Sequence, residues 1–180
     1  MSLPYQRNLS IILKTILIFY SFLKETAMIK LDAIDRQILT LLQASGRLSN
    51  ADLADNVGLS PSACHRRVKA LEGAGIIADY VAILDEASFG RTSSVFVQVT
   101  LNNQRTENLN HFEEAVAACP QIMECYLTTG EADYLLRVLV RDAADYEHVH
   151  HNVLTRLPGV TRVMSNFAIR RVFRRTALPV

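Results

Sequence analysis

Hydrophobic positions between Met28 and Gly75 recur at helical spacing in three runs. The first places Ile34, Ile38, Leu41 and Leu42 on one face behind Asp32, a good N-cap, and Gly46 supplies a left-handed residue to close it. The second is short, capped by Ser49, with Leu53, Ala54 and Val57 inward and Gly58 as terminator. The third opens on Ser60-Pro61, a capping hydroxyl before a proline whose missing N–H costs nothing at the first helical position. It runs to about Glu72, before Gly73 and Gly75. A short helix, a tight glycine turn and a longer third helix predict a helix-turn-helix. The β-branched run Ile76–Leu84 that follows predicts a strand, either a linker or a partner for its twin in a dimer.

Beyond Gly90 the period changes. Val95, Val97 and Val99 alternate within Thr92–Leu101, the mark of a half-buried strand. An amphipathic helix follows over Thr106–Ala118, and Pro120 bars its continuation. Two strands, Ile122–Thr129 and Tyr134–Val140, flank a turn at Gly130. Asp142 caps a second helix reaching about Leu157, and Val160–Val172 supplies the last strand. The order is β-α-β-β-α-β, a ferredoxin-like unit with both helices on one face of an antiparallel sheet. The fold class is therefore α+β: a winged helix-turn-helix over 28–75, a strand linker over 76–90, and a ferredoxin-like domain over 91–180.

Residues 1–27 stand apart. Ile11–Leu23 is almost wholly apolar, broken by Lys14 and Ser21, with Arg7 ahead of it. Such a run resembles a signal peptide or anchor, but no small-x-small cleavage site lies near Leu23. The favoured expectation is an upstream extension from an overcalled start, with Met28 opening the domain sequence.

Composition narrows the function. Of the 180 residues 49% are hydrophobic, while 7 Gly and 5 Pro exclude low-complexity disorder and collagen. The 19 Lys and Arg nearly balance 18 Asp and Glu, so nucleic-acid binding would have to come from a local cluster. Cys64, Cys119 and Cys125 form no CxxC pair, which fits a reducing cytosol, and no run reaches the roughly 18 apolar residues of a membrane-spanning helix.

The charge cluster lies on the third helix. Arg66, Arg67 and Lys69 fall within four residues of a segment whose balance is otherwise acidic. With Cys64 at the centre of the buried face, Ser62, Arg66 and Lys69 point directly outward, Ala63 and His65 flank them, and Arg67 lies at the rim. The exposed face is thus small and polar near its start and cationic further on. Small residues admit a helix to the major groove, where Arg can fork onto guanine and Lys can meet phosphate. Arg-Arg-x-Lys alone would suit a solvated helix; its place in a capped helix-turn-helix favours Ser60, Ser62, Ala63, His65, Arg66, Arg67 and Lys69 as the DNA-reading set.

Leu31–Leu84 closely resembles the N-terminal half of the leucine-responsive regulatory protein/AsnC family of transcription regulators. The resemblance rests on D-x-x-D-x-x-I-L at Asp32–Leu39, GRLSNADLA at Gly46–Ala54 and VGLSPSACHRRVKALE at Val57–Glu72. It continues through TTGEADYLLRV at Thr128–Val138, LPGV at Leu157–Val160, and SNFAIRRV and RRTALP near the end. Residues 1–27 have no counterpart in it. The resemblance implies a cytoplasmic, sequence-specific regulator of double-stranded DNA whose second (RAM) domain oligomerises, as a dimer or a higher even-numbered assembly, and binds a small effector, an amino acid. It places the effector at Thr129, Gly130, Glu131 and Asp133, with Asp133 as countercharge to an ammonium and Glu131 facing the ligand side chain. On residue chemistry alone, a plain hairpin turn with a solvated acid is the better reading of Gly130 and Asp133, although glycine gives a ligand close backbone access and the acid could pair with an ammonium.

Other signals carry less. His148 and His151 lie three apart on a helix, with His150 and His111, but no further ligand stands at a characteristic spacing, so no metal or cofactor is expected. Asp32/Asp35 and Glu113/Glu114 fit helix starts and solvated faces. No Walker loop, nucleophile elbow or HExxH motif occurs, which argues against the rival reading, a metabolite-binding or enzymatic ferredoxin-like domain with a helical appendage.

Overall fold

The computed structural model describes residues 30–180, so the apolar segment 11–23 lies outside it. The chain divides into two compact units, with a boundary between Ile83 and Leu84. The stretch Phe173–Val180 groups with the first unit.

Three helices build the first unit: α1 (Ala33–Ala44), α2 (Asn50–Val57) and α3 (Pro61–Gly73). Each starts where a side-chain oxygen can replace a missing helical acceptor. Asp32 and Asp35 form a reciprocal capping box on α1, while Ser49 and Ser60 accept from Asp52 N–H and Ala63 N–H. Gly58 closes α2 with φ 67°, a left-handed geometry that costs a residue without Cβ nothing. Gly46 does not play the matching part for α1, whose cap is Ser45 in an extended conformation. Ile38, Leu39, Leu53, Ala54, Val57, Cys64 and Leu71 form the core of this unit. Burial raises the Cys64 thiol's pKa, which keeps it protonated and a packing group.

The predicted strand over Ile76–Leu84 does not form: residues 79–85 have no regular structure. A strand exists by pairing its N–H and C=O groups, and no ladder among the described residues reaches this segment. Val81, Ile83 and Leu84 are exposed.

The second unit is the expected βαββαβ: β1 (Ser93–Leu101), α4 (Thr106–Ala117), β2 (Ile122–Leu127), β3 (Tyr134–Val140), α5 (Ala143–Asn152) and β4 (Val160–Phe167). Its sheet is antiparallel throughout, ordered β2-β3-β1-β4. The last strand is shorter than its β-branched sequence predicts. Ala168 N–H still bonds to Ser94 O, at the start of β1; beyond it no further backbone pairing with β1 forms among the described residues. The fifth helix is likewise shorter, ending at Asn152 before a 3-10 turn over Leu154–Arg156.

One face of the sheet is covered. Val95, Val97 and Val99 from β1 and Leu136, Val138 and Val140 from β3 are fully buried against Phe112 and Val116 of α4 and Tyr146 and Val149 of α5. No element of this unit covers the opposite face. Phe96, Tyr126 and Met164 are 39%, 53% and 42% exposed, an apolar band that a lone domain leaves to water.

Candidate functional site

The DNA-reading helix of the sequence is α3. Cys64 and Leu71 anchor its inner face, with Val68 packed beside them. Side-chain amides lock it to its neighbours: Asn50 Nδ2 donates to Pro61 O at 2.8 Å, and Gln37 Nε2 ties α1 to Asn56 O of α2 at 3.3 Å. Ser60, Ser62, His65, Arg66 and Lys69 are exposed, and Ala63 is half-buried.

These residues are not equally free. Ser60 Oγ caps the helix and lies 3.2 Å from Ser62 Oγ. Lys69 Nζ is held 2.7 Å from Glu72 Oε2, an exposed pairing that phosphate can displace at little cost. Arg67 is committed within the unit. Its Nη1 donates to Asp32 Oδ2 at 2.7 Å and to Asp35 Oδ1 at 2.8 Å, joining α3 to the capping box of α1. Arg66 makes no hydrogen bond or ion pair with another described residue. The outward charge available to a groove therefore comes from Arg66, with Lys69 beside it.

The Arg67 anchor has a testable pH signature. The Asp35 backbone N–H, and then the Arg67 guanidinium, hold the Asp32 carboxyl below its ordinary pKa. A depressed folded value makes Asp32 stabilising above its unfolded pKa of about 3.9, and that contribution vanishes as pH falls through the folded value. Asp32→Asn keeps a capping side chain but loses the charge. It should be less stable than wild type in urea unfolding at pH 6, with the gap narrowing once pH falls below the unfolded value and closing as it passes the lower folded one. A gap that persists at acid would remove the ion pair from the account.

In the second unit, the turn between β2 and β3 is fastened to the end of β1. Asp133 N–H donates to Val99 O at 2.9 Å, and Leu101 N–H donates to Asp133 Oδ2 at 2.7 Å. Gln104 Nε2 donates to Asp133 Oδ1, and Thr128 Oγ1 donates to Ala132 O at 2.9 Å. Asp133 is 6% exposed. Each of its oxygens thus accepts a hydrogen bond from within the protein. Its geometry is that of a staple. Gly130 has φ 132°, a conformation that side chains disfavour, and a Cβ there would meet nothing within 4 Å. Thr129, Gly130 and Glu131 are exposed at the tip.

Beside this turn lies a shallow depression on the uncovered sheet face. It is lined by Gln98 and Thr100 of β1, Arg162 and Met164 of β4, and Glu131 and Ala132 of the turn. Gln98 pairs with Met164 and Thr100 with Arg162 across the ladder, so the four form one square on the surface. Of the six, the sequence pointed to Glu131 alone. A strand's alternation shows which residues share a face; register decides which ones meet.

Two family models match this architecture: a winged helix-turn-helix DNA-binding domain over residues 31–78 and the Lrp/AsnC ligand binding domain over 94–178. The Bkd operon transcriptional regulator of Pseudomonas aeruginosa is 46% identical over 153 residues, covering 85% of this chain and all of that protein.

The chain belongs to the Lrp/AsnC family.

The leucine-responsive regulatory protein of Escherichia coli is 43% identical over 130 residues, 72% of this chain and 79% of that protein. Among solved structures, a Neisseria meningitidis transcriptional regulator in complex with L-Met superposes with a TM-score of 0.79 at 35% identity, covering 83% of this chain and 97% of that one. An AsnC family regulator from Agrobacterium tumefaciens gives the same TM-score at 37% identity, with the same coverage of both chains. The protein is thus an Lrp/AsnC-type transcriptional regulator with a DNA-binding helix-turn-helix and a ligand-binding domain, as its motifs predict.

Proposed function

We propose that this regulator binds DNA as a symmetric assembly, reads bases through α3, and responds to an amino acid held at the turn around Gly130. The observation that carries the DNA reading is Arg66, an exposed guanidinium unpaired among the described residues, on a rigidly held helix whose outward start is Ser60, Ser62 and Ala63. Small side chains let the helix approach the groove floor, and the planar fork matches the O6 and N7 of guanine. His65, Arg67 and Lys69 complete the surface, with Lys69 on phosphate and Arg67 contributing chiefly by fixing the helix. No catalytic role is assigned, and the relatives are regulators by description.

An amino-acid effector is supported by the L-Met complex of the Neisseria relative. Assembly is supported by the uncovered sheet face. Phe96, Tyr126 and Met164 form an apolar surface that a second copy would cover, and Val81–Leu84, exposed and outside any strand, offers its backbone to its twin. Among the described residues no helix is long and apolar enough to cross a membrane, which accords with work in the cytoplasm.

A single helix reads few base pairs, so a dimer spanning two half-sites about 34–36 Å apart, or multiples of this, is the geometry that gives specificity. Multi-angle light scattering should find dimers or larger even-numbered species at micromolar concentration, and footprinting of the chain's own upstream DNA should show protected segments in phase with the helical turn. A monomer that still footprints would overturn the assembly; a dimer without protection would overturn the choice of DNA.

A further inference from the structure

A helix in the major groove has a phosphate strand on either side of it, so the residues that follow α3 are placed at a rim of the groove. Here they bring no cation: Ile76–Leu84 contains no Lys or Arg and one acid, Asp79. Over residues 30–83, six Lys and Arg are matched by six Asp and Glu, and Arg67 is already bound to Asp32 and Asp35. The surplus of positive side chains in this unit comes from Phe173–Val180, which carries Arg174 and Arg175 and no acid.

This segment is fastened to the helices. The carboxamide of Gln43, half-buried near the end of α1, takes both main-chain groups of Leu178: it accepts from the N–H at 2.6 Å and donates to the carbonyl at 3.2 Å. The pairing resembles one rung of a sheet ladder and holds a segment whose residues are all exposed. Gly46 lies three residues after Gln43, and a Cβ added there would stand 3.8 Å from the Tyr80 ring. Tyr80 Oη donates to Glu72 Oε1 at 3.2 Å, while Glu72 Oε2 holds Lys69 at 2.7 Å. Leu178 is thereby docked toward the end of the unit where α3 finishes and Lys69 stands. Arg175 and Arg174 lie three and four residues before it, within about 10–14 Å of chain. The Arg175 guanidinium sits over the Phe173 ring, 5.1 Å from its centre, and has no carboxylate partner among the described residues. Stacked in this way, it keeps its edge N–H donors.

We propose that Phe173–Val180 is a second DNA-contacting element, an arm that sets Arg174 and Arg175 against the phosphate backbone beside the groove that α3 enters. The inference rests on the reading of α3 as the helix in the groove, and it is independent of which base α3 recognises. Arginine takes a phosphate through paired charge-assisted bonds whatever the sequence, so the arm adds affinity and orientation rather than base choice. The Gln43 hold places the arm before DNA arrives, which lowers the ordering cost of the contact.

The test titrates the full chain, by fluorescence anisotropy over a salt series, onto its own upstream DNA and a scrambled duplex. Arg175→Gln should bind both duplexes about three- to ten-fold more weakly and flatten the dependence of log affinity on log salt by about one unit per bound chain. Gln43→Met frees Leu178 but keeps the charges, so it should weaken binding to both duplexes with the slope unchanged. Arg156→Gln, at an exposed position of the second unit, makes the same change in net charge and should behave as wild type. Circular dichroism and light scattering check fold and assembly at the same concentrations. Wild-type binding by Arg175→Gln overturns the proposal, and so does an equal loss in Arg156→Gln, which would make the effect one of net charge. A loss that comes with a changed assembly size would place the arginine in a protein contact and overturn it as well. Wild-type affinity in Gln43→Met would overturn the docking of the arm. Arg66→Ala keeps the two readings apart: if it binds both duplexes as wild type does while Arg175→Gln weakens both, the assignment on α3 falls and the arm stands.

Discussion

Asp133→Ala should lower unfolding stability by about 1–3 kcal/mol, the cost of leaving a buried backbone donor without its acceptor. The donor is Leu101 N–H, which bonds to Asp133 Oδ2 at 2.7 Å inside a site that is 6% exposed. Truncation also releases Gln104, and with it the side-chain grip that holds the β2–β3 turn on the end of β1. Asp133→Asn keeps an oxygen for Leu101 N–H and should recover most of the loss. Urea unfolding of the three proteins measures this directly. Ligand affinity should fall in the alanine variant through displacement of Glu131, and recover with stability in the asparagine variant. An alanine variant with wild-type stability and abolished ligand binding would instead make Asp133 a direct partner of the ligand.

Arg66→Ala should weaken specific DNA binding by about 1–3 kcal/mol, the worth of one well-formed bidentate base contact, and relax sequence preference at that position. Arg66 is exposed and makes no hydrogen bond or ion pair with another described residue, so its removal should leave the fold intact and the effect should fall on DNA. Lys69→Ala serves as its control. Lys69 meets phosphate once it leaves Glu72, so its loss should weaken all sequences about equally and flatten the salt dependence by about one unit of slope. Gel shifts on specific and scrambled duplexes over a salt series separate the two signatures. Equal losses on both duplexes for Arg66→Ala would move base reading to another residue of α3.

The two basic neighbours on this helix show where sequence reasoning stops. Arg66 and Arg67 are adjacent and chemically identical, and a helical wheel sets one outward and the other at the rim. The wheel describes α3 alone. It does not contain Asp32 and Asp35, which come from the start of α1 and turn Arg67 into an internal brace. The D-x-x-D spacing was visible as a helix start; its second use, as a carboxylate pair facing an arginine 32 and 35 positions away, depends on how α1 packs against α3. Asp133 follows the same logic. An acid beside a glycine turn reads first as part of a solvated hairpin, and its bond from Leu101, 32 positions earlier, is a tertiary contact that no local pattern shows.

The sequence by itself determined the element order, the caps at Asp32, Ser49, Ser60 and Asp142, the buried alternation of β1 and the outward face of α3. All of these follow from interactions within a few residues, where backbone geometry fixes what neighbours what. The tertiary structure decided that Ile76–Leu84 finds no strand partner among the described residues, that β4 stops where β1 runs out, and that Gln98, Thr100, Arg162 and Met164 share one surface with Glu131. Periodicity assigns a side chain to a face, but register and packing choose what stands opposite, and those are settled by the burial of the whole core rather than by any one segment.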